Sequence, residues 1–349
     1  MAKILFLTDS AADIPKSLRE ELGIRVMPFP IAMGERELRD GEDFTPQEFY
    51  QALAEEPKIP THAQLTAYQF QQCYEETWKA GYTDLIYTSI NSEGSATYQN
   101  AVQARGEFFE DHPEARDAFS IRVIDSHTYT MCYGYPVAEG ARMAAAGASV
   151  EEIAAYIQDW VDHVRVLFVP FDLKFAKKSG RVSAAAAFVG EALGLKPIMT
   201  FENGASKVVT KVRGEKNVIP TILELAQKER EPGTPYLIIR AARPDQAELL
   251  TESCRQAFGQ EPAMDCFIGG VIAINAGPNL VGLHLPEKIK LAALRDPGPA
   301  ARLILSSRPG RGGRRKESGE EIPGIYILFI LFVIGWTMLW KTEGIDVIL

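Results

Sequence analysis

The sequence is poor in the residues and motifs on which many enzymes depend. Its 349 residues include only four cysteines and five histidines. Cys73, Cys132, Cys254 and Cys266 form no C-x-x-C pair and stand far apart. That argues against a disulfide framework or a zinc site, and for reduced thiols in a cytoplasmic protein. His62, His112, His127, His163 and His284 show no metal-ligand spacing, so no metal site is expected. No Walker phosphate loop, H-E-x-x-H or G-x-S-x-G occurs. Positive charge is in deficit as well: 37 Lys/Arg face 46 Asp/Glu, a net charge of −9. A chain-wide nucleic-acid-binding role is therefore not expected. The apolar run Ile4–Leu7 is too short for a secretory signal, and Thr8-Asp9-Ser10 follows it at once.

What is present is ordinary globular material. Hydrophobic residues make up 46% and charged residues 24%, which excludes a mainly disordered chain. Short apolar runs at Ile4–Leu7, Arg25–Met27, Leu85–Tyr87 and Arg122–Ile124 read as strands. Helical patterns such as Pro15–Leu22 and Ala96–Phe109 follow polar loops, an alternation that predicts a parallel sheet covered by helices. Ser149-Val-Glu-Glu152 is a capping box that opens a helix reaching His163. Beyond it, Val164–Val169 reads as a strand, and Pro197–Phe201 and Ser206–Val212 as a hairpin about Asn203-Gly204. Tyr236–Arg240 and Gly270–Ile274 read as further strands. The fold expected is α/β: a parallel-sheet N-terminal domain over 1–162, then an α/β domain with a mixed sheet over 163–286.

Hydroxyl-rich loops follow three of these strands. They are Thr8-Asp9-Ser10, the stretch TSINSEGSAT at Thr88–Thr97, and Asp125-Ser126. Ligands of open parallel sheets bind at the carboxyl ends of strands, and hydroxyls beside helix N-termini suit a carboxylate or phosphate. The same residue types also serve as plain N-caps.

Several stretches resemble the DegV family of bacterial fatty-acid-binding proteins. TDSAADIP is similar to that family's opening, and TSINSEGSATYQNA to its Ser/Gly/Thr-rich loop and helix. VIDS at Val123–Ser126, LKFAKKSGRVS, LGLKPIMTFENG, VRGEK and INAGPNLVG at Ile274–Gly282 follow in family order. The resemblance covers roughly residues 1–285. It implies a two-domain, non-enzymatic carrier without a cofactor, with an acyl chain in an apolar tunnel between its domains. A separate kinase subunit would phosphorylate the bound carboxylate, and the acyl phosphate would feed phospholipid synthesis.

The resemblance also implies a head-group site. Ser95 and Thr97 match the family's Ser-Gly-Thr loop, with Ala96 in place of its Gly. Asn91 and Ser92 stand where the family has two serines. The family's Thr-Ser-Gln-Pro-Ser loop aligns with His62 to Thr66, where Gln64 is identical and Thr61 is one residue displaced. Asn275 occupies the place of the family's His before Gly-Pro-Gly, and Asn279 replaces the last Gly. We therefore expect His62 to take over the imidazole role, with Asn275 donating through its amide and a carboxylate favouring the charged ring. Arg181 in Ser-Gly-Arg is the cationic candidate, with packing or a surface ion pair as its other role. Asp9, Ser10, Asp125 and Ser126 are expected to support the loops.

A hydrolase is the rival reading, with Asp9, Ser10, Ser92, Ser95 or Asp125 as the reacting group and His62 or His127 as base. The tail lies outside the resemblance. Residues 287–321 read as a basic, Pro/Gly-rich linker holding RPGRGGRRK. Residues 322–340, IPGIYILFILFVIGWTMLW, carry no charge and end in aromatics; residues 341–349 close the chain. Nineteen helical residues span about 28 Å, near a bilayer's apolar thickness. The basic run before the segment would leave the body cytoplasmic. A membrane anchor, an extension out of register with the natural coding sequence, and a soluble core helix all remain open.

Overall fold

The computed structural model describes residues 2–188 and 194–286. The tail expectations for 287–349 therefore lie outside the described residues. The first half runs β1 (Ile4–Asp9), α1 (Lys16–Leu22), β2 (Arg25–Met27), β3 (Pro30–Met33), β4 (Arg36–Arg39) and α2 (Pro46–Glu55). It continues through β5 (Thr61–His62), α3 (Ala67–Lys79), β6 (Asp84–Ser89), α4 (Thr97–Asp111), β7 (Ser120–Asp125), α5 (Met131–Ala145) and α6 (Val150–His163). The second half opens with β8 (Val164–Pro170), α7 (Lys174–Ser179), α8 (Ser183–Ala186), β9 (Leu195–Glu202) and β10 (Ala205–Arg213). It ends with α9 (Val218–Glu229), β11 (Leu237–Arg240), α10 (Pro244–Phe258), β12 (Met264–Phe267), α11 (Gly270–Ala276) and β13 (Leu280–Pro286).

Two main sheets result. β2-β1-β6-β7 is wholly parallel, with β1 and β6 buried at its centre. The second has order β10-β9-β8-β13-β11-β12, with only β11 and β12 parallel. A small antiparallel sheet, β4-β3-β5, carries His62. Asn203 and Gly204 both adopt positive φ, 49° and 78°, and so make the tight turn expected between β9 and β10. Ser149 and Glu152 form the expected capping box of α6.

The second sheet separates two cores. Val166 and Phe168 on β8 and Leu280 on β13 face a core shared with the parallel sheet and its helices. Leu167, Val169, Val281 and Leu283 face a smaller core under α9 and α10. The period-2 alternation of strand side chains assigns each residue to its side.

One expected element is different. Gly270–Ile274 was expected as a strand but forms the start of α11. A short apolar run has no decisive periodicity, so tertiary context chooses. Here the Asp13 and Asp40 carboxylates accept the Gly269 and Gly270 amides at 2.8 Å each. A Cβ on Gly269 would lie 2.7 Å from Asp13 Oδ1, and one on Gly270 would lie 2.9 Å from Asp40 Oδ1. Glycine permits the approach that caps this buried helix from the other half of the chain. In INAGPNLVG, accordingly, Ile274–Ala276 ends α11 and only Leu280 onward is strand.

Candidate functional site

An apolar cleft opens between the parallel sheet's loops and the inner face of the mixed sheet. The space among its walls, open mouth included, is about 730 Å³. Phe29, Ile90, Val166, Phe168, Phe201, Ile239, Ile268, Val271 and Leu280 supply most of the wall. Phe168 and Phe201 stack at 5.3 Å, and Tyr129 tilts against Phe201.

Four of the sequence-predicted residues line this cleft: His62, Ser95, Arg181 and Asn275. His62, Ser95 and Arg181 also border an open outer cleft that adds Gln64 and Ser92, which puts them at the mouth. The Asn275 amide nitrogen donates to the Val271 carbonyl at 2.7 Å and to His62 Nε2 at 2.8 Å. The first bond orients the amide, so Nε2 must accept and the proton sits on Nδ1. His62 is thus a neutral imidazole here. Burial first, and then the Arg181 charge, push its pKa below the usual value. Histidine and asparagine therefore touch directly, and the surrounding protein groups favour the neutral ring. Arg181 is exposed; its Nε donates to the Gly94 carbonyl at 3.2 Å and Nη1 to the Ser179 carbonyl at 3.1 Å. No acidic side chain among the described residues pairs with it.

The other predicted residues lie outside the lining of both clefts. Thr61 is exposed on β5, opposite Ala32, outside the cleft's lining. Thr97 is fully buried at the start of α4, 2.9 Å from Ser95 Oγ, and accepts the Leu65 amide. It ties the 62–66 loop to the serine loop. The Asp9 carboxylate accepts the Tyr133 and Tyr87 hydroxyls at 2.6 and 3.0 Å and the Ile90 amide at 2.9 Å. Burial raises its pKa to about 6, although these bonds oppose the shift. Ser10 donates to Asp40 at 2.9 Å and accepts the Phe29 amide. Asp125 accepts the Ser92 and His127 amides, and Ser126 is buried in a local turn. Asp125 and His127 approach to 3.3 Å, but no serine hydroxyl bonds a histidine ring among the described residues. The triad geometry of a serine hydrolase is therefore not assembled there.

Several contributors were not among the predicted site residues. Asn91 donates to the Tyr129 hydroxyl and to the Gly204 carbonyl, both at 2.8 Å, and so staples the serine loop to the β9–β10 turn. A Cβ on Gly94 would run into the Tyr129 hydroxyl, so glycine is needed at the mouth. Thr130 lines the cleft with φ 57°, rare for a β-branched residue. His284 also lines it, wholly buried.

Comparison with known proteins bears on this arrangement. The sequence model described as the DegV family matches residues 3–288. A DegV domain-containing protein of Caldanaerobacter subterraneus is 34% identical over 298 residues, 82% of this chain and all of that protein. Protein DegV of Bacillus subtilis is 27% identical over 80% of this chain and 98% of its own. Among solved structures, a Thermus thermophilus DegV family protein described by its fatty-acid binding superposes with TM-score 0.72 at 27% identity, covering 82% of this chain and 99% of its own. Bacillus subtilis DegV, described as a fatty acid binding protein, gives 0.70 at 27%, covering 82% and 100%.

Proposed function

The chain belongs to the DegV family, and on that premise we propose that it is a fatty-acid carrier. The observation that carries this reading is the polarity of the cleft. Its walls are mainly aliphatic and aromatic, while His62, Ser95 and Arg181 collect at the open end, with Asn275 bonded to His62. An acyl tail gains about 0.8 kcal/mol per buried CH₂, so a long tail supplies much of the affinity. A carboxylate at the mouth needs hydrogen-bond donors, since an unpaired charge there is costly. Ser95, the Nδ1 proton of His62 and the Arg181 guanidinium offer them.

In this reading the chains on either side of residue 162 act as two lobes around the ligand, and the protein performs no chemistry itself. A separate kinase subunit phosphorylates the carboxylate at the mouth, for phospholipid synthesis. The absence of a phosphate-loop motif from the sequence agrees with that division of labour. The body works in the cytoplasm, and residues 322–340 tether it to the membrane that uses the product.

Titrating the delipidated protein with palmitic acid tests the reading. Arg181→Ala should weaken binding by about tenfold or more, the scale of a charge-assisted hydrogen bond. Equal affinity of the variant and wild type would remove Arg181 from the site. Absence of saturable binding to the wild type would remove the carrier.

A further inference from the structure

His284 stands on the cleft side of β13, beside the register partners Val166 and Leu237. Side chains of alternate strand residues share a face, so His284 points where Leu280 points, into the cleft. Its residue surface is 0% exposed, and neither Nδ1 nor Nε2 has a hydrogen-bond partner among the described residues. Burial alone pushes its pKa down to about 3, so the ring is neutral at physiological pH. The cleft-facing residues beside it in the sheet are Val166, Phe168 and Ile239. These side chains offer a bridging water no polar partner, and a buried water ordinarily needs two to four. A leucine here would avoid stranding two polar nitrogens in an apolar wall.

The ring is also separate from the mouth residues. It is absent from the outer cleft that His62, Ser95 and Arg181 border. A ligand held by the mouth cluster reaches it along the apolar wall.

We propose that His284 is a second polar contact point deep in the acyl site, and that it selects acyl chains carrying a hydroxyl along the chain. This rests on the carrier reading above. A neutral imidazole has one donor and one acceptor, and an alkyl hydroxyl offers the complementary acceptor and donor. Sites built to bond a hydroxyl discriminate against the analogue lacking it, because their own polar group is then left unpaired. A second carboxylate is the wrong partner, since the ring is uncharged and the wall apolar.

The test measures dissociation constants of the delipidated full-length chain for palmitic acid and its monohydroxylated positional isomers. Wild type is compared with His284→Leu and His284→Gln. One isomer should bind wild type about tenfold tighter than palmitic acid, the scale of one buried hydrogen bond. His284→Leu should reverse that preference while holding palmitic acid at least as tightly, and His284→Gln should retain part of it. In the absence of ligand, His284→Leu should melt no lower than wild type, which separates lost recognition from lost folding. If wild type favours palmitic acid over every isomer, or if the leucine variant keeps the wild-type preference, His284 is not a recognition group and the carrier reading stands. If no acyl chain binds wild type, the carrier reading falls, and this proposal with it.

Discussion

Asp9 concentrates much of the local electrostatics. Its carboxyl is buried among two tyrosine hydroxyls and the Ile90 amide, with a pKa of about 6 in the fold against about 3.9 in an unfolded chain. Between those values the folded state holds more protons, so this residue's contribution to stability falls as pH rises from about 4 to about 6. His284 has the opposite slope, its folded pKa of about 3 lying below the unfolded value. Comparing Asp9→Asn with wild type isolates the aspartate, because His284 is present in both. Urea unfolding at pH 4.5 and pH 7 should show the variant gaining on wild type at the higher pH; a constant difference would contradict the buried, proton-holding carboxyl. At the mouth, the Asn275 bond to Nε2 predicts a neutral His62 whose NMR titration lies below that of an exposed histidine. A midpoint at or above pH 6.5 would contradict that arrangement. The sequence shows which residue types gather at strand ends, but not which become buried ties. Asp9 and Thr97 have the same composition signal as Ser95, and only the packing of Tyr133 and Leu65 against them decides their part.

Elements with strong local signals were legible. The α6 capping box and the Asn203-Gly204 turn each encode their geometry within four residues. The parallel strands β1, β6 and β7 were visible as short apolar runs bounded by polar loops. α11 was not, because its helical form depends on Asp13 and Asp40, more than two hundred residues earlier. Burial raises the pKa of both carboxyls, and Asp40 further raises that of Asp13. Tyr50 adds a bond from its hydroxyl to the Ile268 carbonyl at 2.5 Å. These ties hold the wall that carries Val271 and Asn275. Gly270→Ala sets the usual helix gain of about 1 kcal/mol against a Cβ forced onto Asp40, Ile31 and Phe44 at 2.9–3.0 Å. The surroundings are buried and hydrogen-bonded, so we expect a net loss of about 1–3 kcal/mol, the usual cost of overpacking. Denaturant midpoints check this; a more stable variant would show that the wall yields freely.

At the scale of the whole molecule, family order along 1–285 conveyed the α/β architecture, whereas the route of the cleft depends on which strand faces meet. That is why His284, one apolar-looking position in LVGLHLP, gave no signal before the sheet was seen. The tail makes a separate prediction. If residues 322–340 tether the carrier, the full chain should remain with membranes through carbonate extraction while residues 1–286 wash free; identical behaviour of both would exclude the tether. The central claim is that an acyl chain occupies the cleft with its carboxylate at the mouth. Native mass spectrometry of the purified protein tests it most directly, before delipidation and after reloading with palmitic acid. The account predicts one long-chain fatty acid per chain, lost on delipidation, restored by palmitic acid, and held less well by Arg181→Ala. A wild-type protein that keeps its bare polypeptide mass in the presence of excess palmitic acid would contradict it.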